Sequence, residues 1–200
     1  MSIILQGSTS GSVTLQEPAV AGTTVLTLPA VTGNVLTDTS PKAGNVIQVV
    51  STHFTSSFST TSTSLVDITS FNVVITPTAT SSKILILVNI NHANTSTGGY
   101  SNGFCVLRNG TAVGNGTLGT SSSPNFMIVN APYSANSAGV AVGQFLDSPS
   151  SISALTYKVQ TQCQSGTGTV YINQTGNLNA GTRPDQGGFT SAITVMEIAA

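Results

Sequence analysis

From residue 46 onward, apolar side chains fall at every second position in one segment after another. Phe71, Val73 and Ile75 fall on one face of an extended segment, as do Leu155, Tyr157, Val159, Thr161 and Cys163. Successive side chains of an extended strand point to opposite faces, so a period of two marks strands with one buried face. No stretch carries a 3.6-residue period with capping residues, and almost no helix is expected. The pattern predicts strands near Val46 to Thr52, Phe54 to Thr60, Ser64 to Ile68, Phe71 to Thr76, Lys83 to Asn91 and Gly103 to Arg108. It continues through Thr111 to Val113, Asn125 to Asn130, Val140 to Leu146, Leu155 to Cys163, Thr169 to Gln174 and Ala192 to Ile198. Ile84 to Ile90 is nearly continuous aliphatic, which predicts a central strand covered on both faces, within the fold or by a subunit contact. Arg108-Asn109-Gly110-Thr111 carries the Asn-Gly signal of a two-residue type I′ hairpin. Many short strands separated by Gly, Ser and Asn turns, with long returns such as Gly114 to Pro124, predict an all-β fold: a jelly-roll-like β-sandwich over residues 45–200.

Residues 1–44 differ. Gly11, Gly22 and Gly33 recur at eleven, with Leu15/Leu26, Pro18/Pro29, Ala19/Ala30 and Val20/Val31 in phase. Each unit reads as a short strand, a proline-marked bend and another short strand, because proline cannot donate to a ladder and glycine permits positive φ. Two such units are too few to bury a core alone. The expectation is an extended N-terminal β-repeat arm, ordered by adding its strands to a partner. Its contact residues would be Val13, Leu15, Pro18, Val20, Leu26, Leu28, Pro29 and Val31. Asp38 to Asn45 is a linker by composition.

Charge narrows the functional classes. The 200 residues include five Lys/Arg and six Asp/Glu, 6% of the chain, against about 25% in ordinary soluble domains. Lys42, Lys83, Arg108, Lys158 and Arg183 are scattered singly, so neither a nucleic-acid footprint nor a polybasic membrane patch is present. The longest aliphatic run, Ile84 to Val88, falls far short of the roughly 20 residues a spanning helix needs, and no membrane insertion is expected. Ser, Thr, Asn and Gly fill 92 positions (27, 30, 15 and 20), so uncharged hydrogen-bonding groups provide solubility. Low charge also means little self-repulsion on association, which favours a tight cyclic homo-oligomer.

Catalysis is not expected. The six carboxylates are never closer than 12 positions, His53 and His92 are 39 apart, and no metal, phosphate or nucleophile-elbow motif occurs. No cofactor and no metal are expected; loops such as Asp147-Ser-Pro-Ser offer oxygen atoms without two carboxylates together. Cys105 and Cys163 read as two buried reduced thiols, with a disulfide not implied. No positively charged n-region precedes an apolar stretch, so no signal peptide is expected, and the Asn-x-Ser/Thr triplets are assigned no function. The surfaces left for recognition are loops: Asn91 to Asn102 with Tyr100, Ser121 to Ser137 with Tyr133, and Asn177 to Gly188 with Arg183 and Asp185. Rigid rings flanked by adaptable amides suit sugar or protein contacts, and a host-surface glycan is the candidate ligand.

The N-terminal Gly11-to-Thr37 stretch resembles virion structural proteins of tailed bacteriophages, of tail-fibre or head-decoration type and chiefly from aquatic phages. So do Val-Ile-Gln-Val-Val-Ser-Thr at 46–52, Phe-Leu-Asp-Ser-Pro-Ser at 145–150 and the closing Ile-Thr-Val-Met-Glu-Ile. These are low-complexity patterns, and similar chains are often longer, with a shaft before the tip. The resemblance implies a homotrimer made in the host bacterial cytoplasm and located on the virion. Its arm would bind another virion protein of capsid or tail, and its jelly roll would face outward. A short tail fibre serving host adhesion and a head decoration or cement protein stabilising the capsid stay nearly level. A bacterial surface lectin or adhesin is the alternative.

Overall fold

The protein is represented by a computed structural model that describes residues 3–16, 41–95, 101–116, 127–130, 138–163, 168–176 and 188–200, with isolated positions between 19 and 30. It divides into two units, Met1–Val35 and Leu36–Ala200.

In the first unit, β1 (Ile3–Gln6) and β2 (Ser12–Leu15) form an antiparallel hairpin, with Ile3 opposite Leu15 and Leu5 opposite Val13. The hairpin loop closes where the Gly7 amide donates to the Gly11 carbonyl at 2.9 Å. Gly11 and Gly22 both have positive φ, 77° and 60°, so the first two glycines of the eleven-residue repeat are turn residues as its spacing implied. Pro18, Leu26, Leu28, Pro29 and Val31 lie outside the described residues, and with them most of the second unit of the repeat.

The second unit is built of β3 (Val46–Phe54), β4 (Phe58–Thr60), β5 (Val66–Ile75), β6 (Lys83–Asn94), β7 (Ser101–Arg108) and β8 (Thr111–Val113). It continues with β9 (Met127–Asn130), β10 (Gly139–Asp147), β11 (Leu155–Cys163), β12 (Val170–Ile172) and β13 (Ser191–Ile198). Every pairing is antiparallel, and no helix occurs among the described residues. In one sheet, β13 and β12 pair one edge of β6 in tandem and β10 pairs its other edge; β3 and β4 continue the sheet beyond β13 and β12. The second sheet runs β5, β11, β7, with β8 and β9 in tandem on the far edge of β7. The chain alternates between the sheets, placing β3, β6, β10 and β13 in one and β5, β7 with β8 and β9, and β11 in the other. That strand order is a jelly roll.

Alternation builds the core. Ile84, Ile86, Val88 and Ile90 of β6 and Ile193 and Val195 of β13 point inward, against Phe71, Val73, Tyr157, Val159, Phe104 and Val106 of the opposite sheet. Phe54 and Phe71 stack across the sandwich with centroids 5.1 Å apart. The Asn-Gly hairpin forms as its residues imply: Asn109 and Gly110 have φ of 48° and 88° between paired Arg108 and Thr111. Cys105 and Cys163 are buried thiols. Cys163 faces the core, while Cys105 sits opposite outward Gln160, so the two point to opposite faces of the sheet and a disulfide is geometrically excluded.

Two boundaries differ from the alternation. Phe54 to Thr60 is interrupted after Phe54, because Asn173 Nδ2 takes both the Phe54 and Ser56 carbonyls, at 2.7 and 2.9 Å. Ser64 to Ile68 and Phe71 to Thr76 belong to one strand, β5, in which Ser70 takes a φ of 65° and the register against β11 shifts between Lys158 and Gln160. The bulge lets Ile68 and Phe71, three apart, both point inward.

Candidate functional site: the arm hairpin, the buried polar pins and the sheet faces

Register puts Ile3, Leu5, Val13 and Leu15 on one face of the arm hairpin, and Ile4, Gln6, Ser12 and Thr14 on the other. All four residues of the apolar face are at least half exposed, and Val20 further along the arm is 90% exposed. A lone two-stranded hairpin is marginal in water. This one therefore presents an unburied apolar face and, among the described residues, two open strand edges, the features that strand addition to a partner uses. Of the sequence-derived contact residues, the structure brings Val13 and Leu15 onto this face.

The proposed recognition residues Tyr100, Tyr133, Arg183 and Asp185 lie outside the described residues.

Inside the sandwich, polar side chains sit at inward positions of alternating strands and hydrogen-bond one another. Asp147, at the end of β10, accepts Arg108 Nη1 on both carboxylate oxygens at 2.7 and 2.6 Å, the Tyr157 hydroxyl at 2.7 Å and the Ser148 amide at 2.8 Å. Arg108 and Tyr157 belong to the opposite sheet, so this cluster pins the two layers together. Burial, with the Asp147 carboxylate beside it, pushes the Tyr157 phenol well above its ordinary range.

Glu197, fully buried at the end of β13, accepts Gln48 Nε2 on Oε2 at 2.6 Å, and the Thr78 amide, Thr78 hydroxyl and Ser82 hydroxyl on Oε1 at 2.6 to 2.7 Å. Desolvation pushes its carboxyl up, but the bonds from Ser82, Gln48 and Thr78 together outweigh it and hold the carboxyl below the usual range. They also tie the β5–β6 turn to the last strand.

His92, on β6, accepts from Asn102 Nδ2 at 2.8 Å on Nδ1, while Asn102 Oδ1 takes Asn94 Nδ2 at 2.7 Å. The second bond fixes which way the Asn102 amide points, so the ring carries its proton on Nε2. Phe104 meets the ring edge-on at 5.5 Å, and burial pushes His92 down to about 4. A fourth hub, Asn173, accepts Ser191 Oγ at 2.7 Å where β12 gives way to β13.

These partners describe architecture. No group of three His, Cys, Asp or Glu positioned for a metal occurs among the described residues. No helix among them is long and apolar enough to cross a membrane. Burial pushes the Cys105 thiol up to about 11, away from reactivity.

The outer faces of the two sheets differ. On the β5–β11–β7 sheet polar side chains gather on the outer face: Asp67 accepts Lys158 Nζ and Gln160 Nε2, both at 2.6 Å, and Asn72 and Thr156 lie beside them, with exposed Val74 opposite Thr156. Hydrogen bonds from Lys158 and Gln160 hold the Asp67 carboxyl below its usual value. On the β3–β13–β6–β10 sheet, register aligns Val49, Met196, Leu85 and Leu146 in a row across all four strands. Two residues further along, Ser51, Thr194, Leu87 and Gln144 form the next row. A shallow depression of about 490 Å³ opens at the centre of this face, lined by Leu87, Asn89, Val142, Gln144, Ala192 and Thr194 among others.

No family model matches the chain, and no curated protein matches it. Among solved structures, infectious bursal disease virus of the Gx strain is similar at 15% identity with a TM-score of 0.37, over 99% of this chain and 50% of that one. A mutant VP2 protein of infectious bursal disease virus, from derived T=1 particles, is similar at 14% identity with a TM-score of 0.36, over 95% of this chain and 43% of that one. The chain thus spans half or less of the length of these structures. The jelly-roll assignment rests on the strand order and register of this chain itself.

Proposed function

We propose that the protein is a structural component of a bacteriophage particle, non-catalytic and without a cofactor. In this reading it is a homotrimer made in the host cytoplasm. Its N-terminal arm holds it to another protein of capsid or tail, and its jelly roll faces the medium. The observation that carries the reading is the arm hairpin: four apolar side chains, Ile3, Leu5, Val13 and Leu15, exposed together on an element that needs a partner to be stable. The resemblance to tailed-phage virion proteins supports the same assignment. A short tail fibre and a head decoration protein share this physics, and host-surface glycan binding belongs to the first.

Each of the four side chains still has about half of its surface to bury, worth about 1 kcal/mol apiece, so their docking contributes about 4 kcal/mol, or about a thousandfold in affinity. Leu5→Asp combined with Val13→Asp is expected to leave the jelly roll cooperatively folded and to abolish incorporation into particles, read by quantifying the protein on purified virions. Wild-type incorporation of that double variant would overturn the anchoring role. Labelled electron microscopy of the wild type decides between capsid and tail, and label on neither would overturn the virion reading. Depolymerisation of host glycan by the purified protein would overturn the non-catalytic assignment.

A further inference from the structure

A sheet with one face on the core carries polar residues on the other when that other face meets water. The β5–β11–β7 sheet obeys this with Asp67, Asn72, Lys158 and Gln160. The β3–β13–β6–β10 sheet obeys it only in part, setting large aliphatics among Ser51, His53, Asn89, Gln144 and Thr194. Val49, Val140, Val142 and Leu146 are all more than half exposed on its outer face, Val142 at 69%, and Leu85 and Leu87 between them are only half-buried. The aliphatic run at Ile84 to Ile90 is therefore central in its sheet but covered on one face alone.

Three properties of this face define what fits it. Its sole charged side chain among the described residues is Lys83, at the start of β6, with its ammonium on Ser148 Oγ at 3.0 Å. Among the described residues of these four strands no Phe or Tyr, the rigid rings on which a sugar or a peptide hot spot would rest, points outward; Tyr171 of β12, opposite Ala93, continues the face past the end of β13 and is half-buried. Four strands about 4.8 Å apart and about nine residues long present about 600 Å² in projection, before side-chain relief adds to it. One partner's share of a stable protein interface is about 800 Å².

We propose that this face packs against a second copy of the chain and is the contact through which copies assemble. The proposal deepens the homotrimer reading and rests on it for the number of copies. A face almost without charge meets its own copy without like-charge repulsion, and the net charge of −1 adds almost none from the rest of the molecule. In a three-fold ring the contact is heterologous, so this face meets a different patch of the next copy.

The test uses the full chain in light scattering, with Val142→Asp on this face and Asn72→Asp on the polar sheet as the control. Wild type and Asn72→Asp are expected to be trimers, and Val142→Asp to fall about threefold in mass to a folded monomer. Should Val142→Asp fail to fold, a milder pair reads the same contact: Val142→Cys and Asn72→Cys, exposed to a maleimide. Cys105 and Cys163 are buried, so the new thiol dominates labelling, and Val142→Cys is expected to react about tenfold more slowly or less in the wild-type oligomer. A trimeric Val142→Asp, or equal labelling of the two cysteine variants, overturns the face while leaving the homotrimer standing. A monomeric wild type overturns both, and neither result bears on whether the protein is found on the virion.

Discussion

Acidification from pH 7 to pH 5 is expected to cost this fold about 2 kcal/mol through a single side chain, His92. Its ring is 1% exposed, is bonded by Asn102 and lies edge-on to Phe104. Burial lowers its pKa from 6.5 to about 4. The unfolded chain, which has lost that burial, takes up the proton first. Between pH 6.5 and about 4 the unfolded state holds the extra proton, and stability falls as the pH falls. Above this window the ring is neutral in both states and contributes no slope. Below it both states are charged and the loss is complete, at about 3 kcal/mol for the whole gap.

Asp67 and Glu197 are both held below their usual values. Their contributions are present above the ordinary carboxylate range and are lost only as pH falls through it, so the interval from pH 7 to 5 isolates His92. The assay is urea denaturation at fixed protomer concentration at the two pH values, for wild type and His92→Gln. Glutamine keeps an acceptor for Asn102 and removes the titration. Wild type should lose about 2 kcal/mol, and the variant, whatever its absolute stability, should lose little. Equal losses in the two proteins, or a flat wild type, would refute the reasoning that burial of this ring sets the acid limit of the fold.

Asp147→Ala is expected to destabilise the protein by about 3 kcal/mol in the same assay, because it leaves Arg108 and Tyr157 without their shared acceptor inside the sandwich. Lys158→Ala, which breaks an ion pair exposed by 33% and 48% on its two sides, should cost less than about 1 kcal/mol; equal effects would contradict the inter-sheet pin. Gly110→Ala should cost about 1 kcal/mol by thermal melting. A Cβ there meets nothing within 4 Å, so the cost is that of holding φ at +88° with an L side chain.

Much of the fold was legible because alternation speaks directly to strand position and facing. The inward set Leu155, Tyr157, Val159, Thr161 and Cys163 is buried as its spacing implied. The polar pins left a signal in the same parity that the sequence-based expectations missed, since these end strands at Asn91 and Leu146 and put Asp147 in a loop: His92 follows Ile84, Ile86, Val88 and Ile90, Glu197 follows Ile193 and Val195, and Asp147 follows Ala141, Gly143 and Phe145. A titratable residue at an inward position must bring partners. Those partners were not legible, because Ser82, Thr78, Gln48, Arg108 and Asn102 come from other elements, and only the folded topology brings them near. The break after Phe54 was hidden for the same reason, since its cause is Asn173, 119 positions away. The bulge at Ser70 left a local trace: Ile68 and Phe71 are three apart, a spacing no regular strand can place on one face.

The scarcity of charge takes on a direction once the strands are placed. Asp67 and Lys158 pair on one outer face, Asp147 and Arg108 pair between the layers, and Glu197 is spent on neutral donors inside. Little remains for the β3–β13–β6–β10 face, where period-two alternation continues but the outward set places Val49, Leu85, Val142 and Leu146 among uncharged polar residues such as Ser51, Thr194, Asn89 and Gln144. A sequence under no constraint except solubility would place polar side chains there, at no cost to the core, since the two faces of a strand are independent at the level of pattern. Apolar residues on both parities of β6 fit the proposed assembly, in which the inward set is buried inside the sandwich and the outward set against a copy. The arm hairpin repeats the logic on a smaller scale, with one apolar face and open edges. In the proposed assembly both surfaces pair through apolar contact and backbone hydrogen bonds, which salt does little to screen, so joining copies and anchor would not rely on the few charges the chain has.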